Sequence, residues 1–92
     1  MFKNKRYTTA RIAKELSLEL QVILWSLIDG MDTQDPFQFF TLIRENGNQK
    51  IIHEQEEPEY RKEYIFRVPG IDAKVYVIDD SEHTTMLFAE EY

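Results

Sequence analysis

A helical pattern of apolar residues follows Ser17. Apolar side chains recur there three and four residues apart, the spacing of one face of an α-helix; they are Leu20, Ile23, Leu24, Leu27, Ile28 and Met31. Ser17 is a suitable N-cap, and Glu19 lies in the first turn, where the helix dipole favours a negative charge. Gly30 and Pro36 end the pattern. Three further residues extend its apolar face: Leu18, Val22 and Trp25. We therefore predict one main amphipathic helix.

After Pro36 the apolar period changes from 3.6 residues to two, which is typical of strands. The predicted strands are 37–44, 49–55, 60–68, 73–78 and 84–89. Segment 6–12 is rich in β-branched and aromatic residues and predicts a first strand. Asn46-Gly47 predicts a hairpin turn because both residues tolerate positive φ, but the loop length and register stay open. We predict an α+β fold: an antiparallel sheet of about five to six strands with the helix packed on it.

Length and composition exclude several classes of protein. The 92 residues fit a single domain, 1–92. The absence of cysteine excludes disulfide scaffolds, thiolate zinc sites and cysteine nucleophiles, and three glycines cannot build a phosphate-binding loop. No apolar run approaches the roughly 20 residues of a membrane span, and the basic N-terminal segment lacks the apolar stretch of a signal peptide. We expect a cytoplasmic protein that does not enter a membrane.

The formal net charge is -6, and the charges are unevenly distributed along the chain. The first fourteen residues carry five bases and no acid, whereas acids dominate 54–63 and 79–91. Three interpretations remain open. The charges pair across the sheet, or they steer a partner or a self-complementary dimer, or an acidic face imitates nucleic-acid phosphates. Direct nucleic-acid binding by this chain is disfavoured because carboxylates repel phosphates.

The polar loop 79–83 is a candidate for weak metal binding. It holds oxygen and imidazole ligands close together: Asp79, Asp80, Glu82 and His83. Hard cations such as Ca²⁺ prefer oxygen ligands, but the spacing does not match an EF-hand. The alternative is a solvated turn in which an aspartate accepts bonds from nearby backbone N–H groups.

Catalytic chemistry has little support in the sequence. His53 and Glu54 are adjacent on a strand and point to opposite faces, so the strand cannot offer both to one metal. We interpret His53 as a histidine on the sheet surface. Ser81 is the one serine near a histidine, and two sequence neighbours do not make a nucleophile and a base. We expect no enzymatic activity and no cofactor.

The aromatic residues have two possible uses. Eight of them could form a stacking platform for single-stranded nucleic acid: Phe37, Phe39, Phe40, Tyr60, Tyr64, Phe66, Tyr76 and Phe88. The charges after residue 53 are largely acidic, so we interpret these rings as core packing. On the helix, Trp25, Val22 and Asp29 form the candidate partner-binding site, because Trp25 lies where apolar surface could reach a partner. An uncovered sheet edge is the other candidate contact.

Four segments resemble a known family: MFKNKRY, LELQVILWSLID, IIHEQEEPEY and TTMLFAEEY. Together they are similar to a small family first catalogued from staphylococci, family nine-sixty of the domains of unknown function, which also occurs in other Firmicutes and their phages. The resemblance covers essentially the whole chain. It implies a bacterial, cytoplasmic, stand-alone domain, and it implies no catalytic residue.

The functional hypothesis is a non-catalytic protein-interaction module with an unknown protein partner; a homodimer is one form this partnership could take. The alternative is a phage-type acidic inhibitor that mimics nucleic acid and blocks a DNA- or RNA-binding protein. A weaker alternative is a small-ligand or metal-binding domain centred on residues 79–83.

Overall fold

The computed structural model describes residues 2–92, which form a six-stranded sheet with two α-helices on one face. The strands are β1 Lys5–Thr8, β2 Phe37–Glu45, β3 Asn48–Gln55, β4 Tyr60–Phe66, β5 Ala73–Asp79 and β6 His83–Phe88. The helices are α1 Ala10–Glu15 and α2 Leu18–Asp29, and a 3₁₀ turn spans Ala89–Glu91. The strand order is β1-β6-β5-β2-β3-β4. The α+β class is confirmed. No helix in the described part of the chain is long and apolar enough to cross a membrane.

The predicted first strand is wrong in its second half. β1 ends at Thr8, and the Thr9 hydroxyl oxygen accepts a hydrogen bond from Ile12 N at 3.2 Å, which caps α1. Ile12 and Leu16, four residues apart, are both buried, so α1 has its own apolar side. β1 pairs with β6 in parallel, whereas the other strand pairs are antiparallel. The predicted antiparallel sheet is therefore wrong: the sheet is mixed, because the edge strand β1 runs parallel to β6, the last strand of the chain.

The main helix, α2, is confirmed. The Ser17 hydroxyl oxygen accepts a hydrogen bond from Leu20 N at 3.2 Å and caps the first turn. The residues that α2 buries form one stripe: Leu20, Gln21, Leu24 and Ile28. Leu18 and Val22 are 73% and 55% exposed, so the buried face is narrower than the apolar pattern suggests.

The β2–β3 hairpin is confirmed, and its loop has two residues. Asn46 has φ 51° and Gly47 has φ 79°, as a type I′ turn requires. Glu45 lies opposite Asn48, which sets the register of the central strands.

The helices cover one face of the sheet, where the core lies. The register places Val75, Phe40 and His53 side by side across three strands on this covered face. The buried apolar residues are Phe2, Ile12, Leu16, Leu20, Leu24, Ile28, Phe40, Leu42, Ile51, Val75, Val77, Met86 and Phe88. The interpretation of His53 as a surface residue is wrong, since it is 0% exposed. The helices leave the opposite face uncovered.

Candidate functional site

The uncovered side of the sheet is called the open face. Its side chains alternate along each strand with those that face the helices. In β2, β5 and β6 its apolar members are half-buried: Phe37, Phe39, Ile43, Tyr76, Ile78 and Leu87. Towards the edges, Tyr7 of β1 is 42% exposed and Ile65 of β4 is 62% exposed. Apolar surface therefore extends across the sheet.

Four rings form an aromatic cluster near the middle of the open face: Phe37, Phe39, Tyr76 and Tyr92. Phe37 stacks on Phe39 with ring centroids 4.7 Å apart. Tyr76 meets Phe37 and Phe39 edge to face at 5.2 and 5.3 Å, and Tyr92 meets Phe37 edge to face at 5.4 Å. The predicted core packing is confirmed for Phe40 and Phe88, which are buried, and for Phe66, which packs against the core. The rings of the cluster pack on one another.

A shallow depression of about 300 Å³ adjoins the aromatic cluster. Phe39, Thr41 and Tyr76 line it, with Lys74 on one side and Glu54 on the other. It is large enough for one apolar side chain, and its borders carry opposite charges.

The charges of the open face differ from those of the chain as a whole. Its strand residues comprise four bases and three acids: Lys5, Lys50, Arg61, Lys74, Glu45, Glu54 and Glu63. Four bases and three acids give these strand residues a formal charge of +1, whereas the whole chain carries a formal charge of -6. Lys50 Nζ lies 3.1 Å from a Glu63 oxygen, and hydrogen bonds from Arg61 and Lys50 lower the pKa of Glu63. The charges on the open face are therefore mixed, although the sequence after residue 53 is largely acidic.

The carboxylates concentrate at one end of the sheet instead. Because β2 runs antiparallel to β3 and β5, loops 30–36, 56–59 and 80–82 meet at the same end. These loops carry seven carboxylates and no Lys, Arg or His: Asp32, Asp35, Glu56, Glu57, Glu59, Asp80 and Glu82. The bases at this end, Lys3 and Lys5, belong to the N-terminal segment. We call this region the acidic end.

Asp79, the first of the predicted metal ligands, connects β5 to the N-terminal segment. Its carboxylate accepts hydrogen bonds from Phe2 N at 2.8 Å, Asn4 Nδ2 at 2.7 Å and Ser81 N at 2.9 Å. Desolvation by partial burial would raise the pKa of Asp79, but these bonds outweigh it, and the pKa lies below its usual value. Asp79 thus has a structural role.

The other predicted metal ligands, Asp80, Glu82 and His83, lie in or next to the loop that follows. One Asp80 oxygen accepts hydrogen bonds from His83 N at 2.7 Å and Glu82 N at 3.0 Å, which lower the pKa of Asp80. This is the solvated turn considered as the alternative. Within residues 2–92 no group of three or more His, Asp or Glu side chains is placed to hold a metal ion. The geometry gives the predicted cation site no support.

The predicted partner-binding residues lie on or beside one flank of α2. Trp25 is half-buried against the core, and the Arg6 guanidinium carbon lies 4.7 Å from its ring centroid. Arg6 also pairs with Asp29, so it brings Trp25 and Asp29 together. Val22, one turn earlier, is exposed. The contact role of these residues stays a prediction.

A polar network beneath the helices was missed from the sequence. His53 Nε2 lies 2.6 Å from Gln38 Oε1, and Gln38 Nε2 donates to Gln55 Oε1 at 2.8 Å and to the Asp35 carbonyl at 2.7 Å. Since the Gln38 oxygen must then accept, the His53 proton is assigned to Nε2. His53 Nδ1 has no hydrogen-bond partner in residues 2–92, and burial lowers the pKa of His53 to about 4. The continued alternation with buried Ile51 was the available signal.

Comparison with known proteins identifies the family. The family described as "Staphylococcal protein of unknown function (DUF960)" matches residues 5–91. The chain belongs to this family. The resemblance drawn from the sequence is thereby confirmed, and a bacterial origin with it. No curated protein matches the chain in sequence.

A solved structure shares the fold. It is the crystal structure of a protein of unknown function from Enterococcus faecalis, with a TM-score of 0.86 and 20% sequence identity. The alignment covers 97% of this chain and 91% of that chain. At this identity the similarity shows the fold alone.

Proposed function

We propose that this chain is a non-catalytic protein-interaction domain and that the open face is its contact surface. The observation that carries the proposal is the aromatic cluster, which lies on an uncovered face across two adjacent central strands. Scattered exposed apolar residues are ordinary, but a contiguous apolar patch marks interaction sites. Aromatic residues are enriched in such sites.

The surroundings of the aromatic cluster also suit a protein partner. Interfaces typically have an apolar centre and a polar rim, and here charged side chains of β3 and β4 border the rings. The depression beside Lys74 offers a place for an anchoring side chain of the partner. Three of the four rings belong to β2 and β5, which are paired on both sides, so binding would require little ordering of the backbone there.

The test is a quantitative pull-down from host lysate with three baits: wild type, Tyr76→Asp and Val22→Asp. Both variants add one negative charge, but Tyr76 lies on the open face and Val22 on the exposed side of α2. We expect Tyr76→Asp to lower capture of a specific partner by roughly tenfold or more, because a buried unpaired charge opposes binding. Val22→Asp should capture as wild type does.

Two results would count against the proposal. Loss of the partner with Val22→Asp alone would place the contact on the α2 flank, with Trp25 and Asp29. Capture identical to that of an unrelated acidic bait would contradict an interaction function. Circular dichroism of each variant establishes that the baits are folded.

A second candidate function is the acidic inhibitor that mimics nucleic acid. The placement of seven carboxylates in three neighbouring loops, with no base among them, favours it. The partner would then be a nucleic-acid-binding protein that added DNA displaces and high salt releases. Glu56→Gln combined with Glu57→Gln should weaken that capture, whereas Tyr76→Asp should not. Capture insensitive to DNA would rule out this function.

A further inference from the structure

We propose that Tyr92 is an anchor of the open face: its ring enters an apolar pocket of the partner protein, and its hydroxyl makes a hydrogen bond there. The inference rests on the proposed function, because it takes the open face as the contact surface and names the residue through which the partner is recognised. The partner it fits is a protein with a concave site that accepts one phenol ring.

Tyr92 is the most exposed large apolar side chain among residues 2–92. It is 75% exposed, whereas Ile65 and Tyr7, near the two edges of the open face, are 62% and 42% exposed. The other rings of the aromatic cluster are half-buried. Tyrosine is one of the residues that contribute most to binding when an interface buries them. Of the side chains on the open face, Tyr92 therefore gains most from a partner's pocket.

The aromatic cluster orients the ring of Tyr92. The ring meets Phe37 and Tyr76 edge to face, with centroids 5.4 and 5.8 Å apart. Edge-to-face pairs of this kind are favourable, and here they leave three-quarters of the residue exposed. A ring that is already oriented loses less conformational entropy on binding than a mobile one.

Glu91 fixes the backbone that carries the ring. In the 3₁₀ turn, Tyr92 N donates to the Ala89 carbonyl oxygen at 3.1 Å. One carboxylate oxygen of Glu91 accepts hydrogen bonds from Phe88 N at 2.7 Å and from the Thr9 hydroxyl at 2.9 Å. These bonds connect the turn to the end of β6 and to the N-cap of α1. Glu91 is therefore a positioning residue for Tyr92.

A second use of Tyr92 would be a cover that the partner must displace from the aromatic cluster. Displacement would give up the contacts of the ring with Phe37 and Tyr76. Insertion into a pocket keeps those contacts and removes the exposed side of the ring from water. The geometry therefore favours an anchor over a cover, and the two predict opposite effects when the ring is removed.

The test measures the affinity of the purified captured partner for variants at position 92. Tyr92→Ala should raise the dissociation constant by about thirtyfold or more, as the loss of a dominant contact residue does. Tyr92→Phe should raise it several-fold, because one hydrogen bond is lost. Leu18→Ala truncates a side chain that is 73% exposed on α2 and should bind as wild type does. Urea midpoints should stay near wild type, since both side chains are mostly exposed.

Variants of Glu91 test its positioning role. Glu91→Ala should raise the dissociation constant several-fold in the wild-type background and leave it unchanged in the Tyr92→Ala background, where no ring is left to position. Glu91→Gln keeps an oxygen that accepts both hydrogen bonds and should bind nearly as wild type does. Equal effects of Glu91→Ala in the two backgrounds would reject the positioning role.

Photo-crosslinking locates the contact directly. With p-azidophenylalanine in place of Tyr92, irradiation should link the chain to the captured partner, whereas the same replacement of Leu18 should not. Crosslinking from position 18 alone, or wild-type affinity of Tyr92→Ala, would overturn the anchor. Tighter binding by Tyr92→Ala would overturn it in favour of a cover.

The failure of this inference is distinguishable from the failure of the proposed function. A partner that is lost on Tyr76→Asp but retained by Tyr92→Ala would reject the anchor and keep the open face as the contact surface. Capture that neither variant changes, or no specific capture by the wild type, would reject both.

Discussion

Replacement of His53 by glutamine is expected to remove most of the acid sensitivity of the fold between about pH 6.5 and about pH 4.5. His53 is fully buried, and its ring stacks on Phe40 with centroids 4.3 Å apart. Protonation would place a charge in this apolar environment, so burial lowers the pKa of His53 from 6.5 to about 4. Glutamine can still donate a hydrogen bond to Gln38 and does not titrate.

The direction of the pH dependence of stability follows from which state, folded or unfolded, binds the proton more readily. In the unfolded chain His53 protonates near pH 6.5, whereas the folded chain resists protonation until about pH 4. The contribution of neutral, buried His53 to stability is therefore fully present above about pH 6.5. It is lost progressively as the pH falls towards about 4. At about 1.4 kcal/mol per pKa unit, the loss is about 1.4 kcal/mol at pH 5.5 and about 2.5 kcal/mol at pH 4.5. That is a large part of the 5–15 kcal/mol typical of a domain.

The assay is urea unfolding followed by the fluorescence of Trp25, the single tryptophan, across this pH range. His83→Gln is the matched control, because His83 is the other histidine and is exposed. It should keep the wild-type pH dependence, whereas His53→Gln should be nearly flat above about pH 4.5, since carboxylates titrate mainly below it. An unchanged slope in His53→Gln, or an NMR titration of His53 near pH 6.5, would refute the reasoning.

Three further predictions concern stability. Gly47→Val should destabilise by about 1–3 kcal/mol because φ is 79° there, whereas Gly30→Ala, at φ -82°, should change little in the same urea titration. Gly70→Ala should cost about 1–3 kcal/mol, since an added Cβ would lie 2.8 Å from the Asn48 carbonyl oxygen; a wild-type midpoint would contradict that contact. Asp79→Asn should cost about 1–2 kcal/mol near neutral pH, and this difference should vanish as the pH falls through the lowered pKa of Asp79. A difference that persists in acid would exclude its electrostatic origin.

Local signals predicted α2 and the β2–β3 hairpin. Ser17 and the apolar spacing after it specify a helix through contacts within a few residues, and Asn46-Gly47 specifies a turn by its allowed φ. The boundary between β1 and α1 was not predicted. Arg11 and Ile12 fit either element by propensity, and the choice depends on the Thr9 cap and the burial of Ile12.

The covered and open faces could not be assigned from alternation alone. Period-two patterning shows which residues share a face, but it does not show which face the helices cover. In β3 the more polar side is the buried one, since it carries Gln49, His53 and Gln55 beside Ile51. These polar groups can be buried because hydrogen bonds from distant segments satisfy most of them. The parallel pairing of β1 with β6 likewise depends on contacts far apart in sequence.

Hydroxyl-radical footprinting tests most directly whether the open face is the contact surface, because aromatic side chains report their own accessibility. The chain would be labelled free and bound to its captured partner. The account predicts protection of Phe39 and Tyr76 in the bound state, with the labelling of Trp25 unchanged. Protection of Trp25, with Phe39 and Tyr76 labelled as in the free chain, would contradict it.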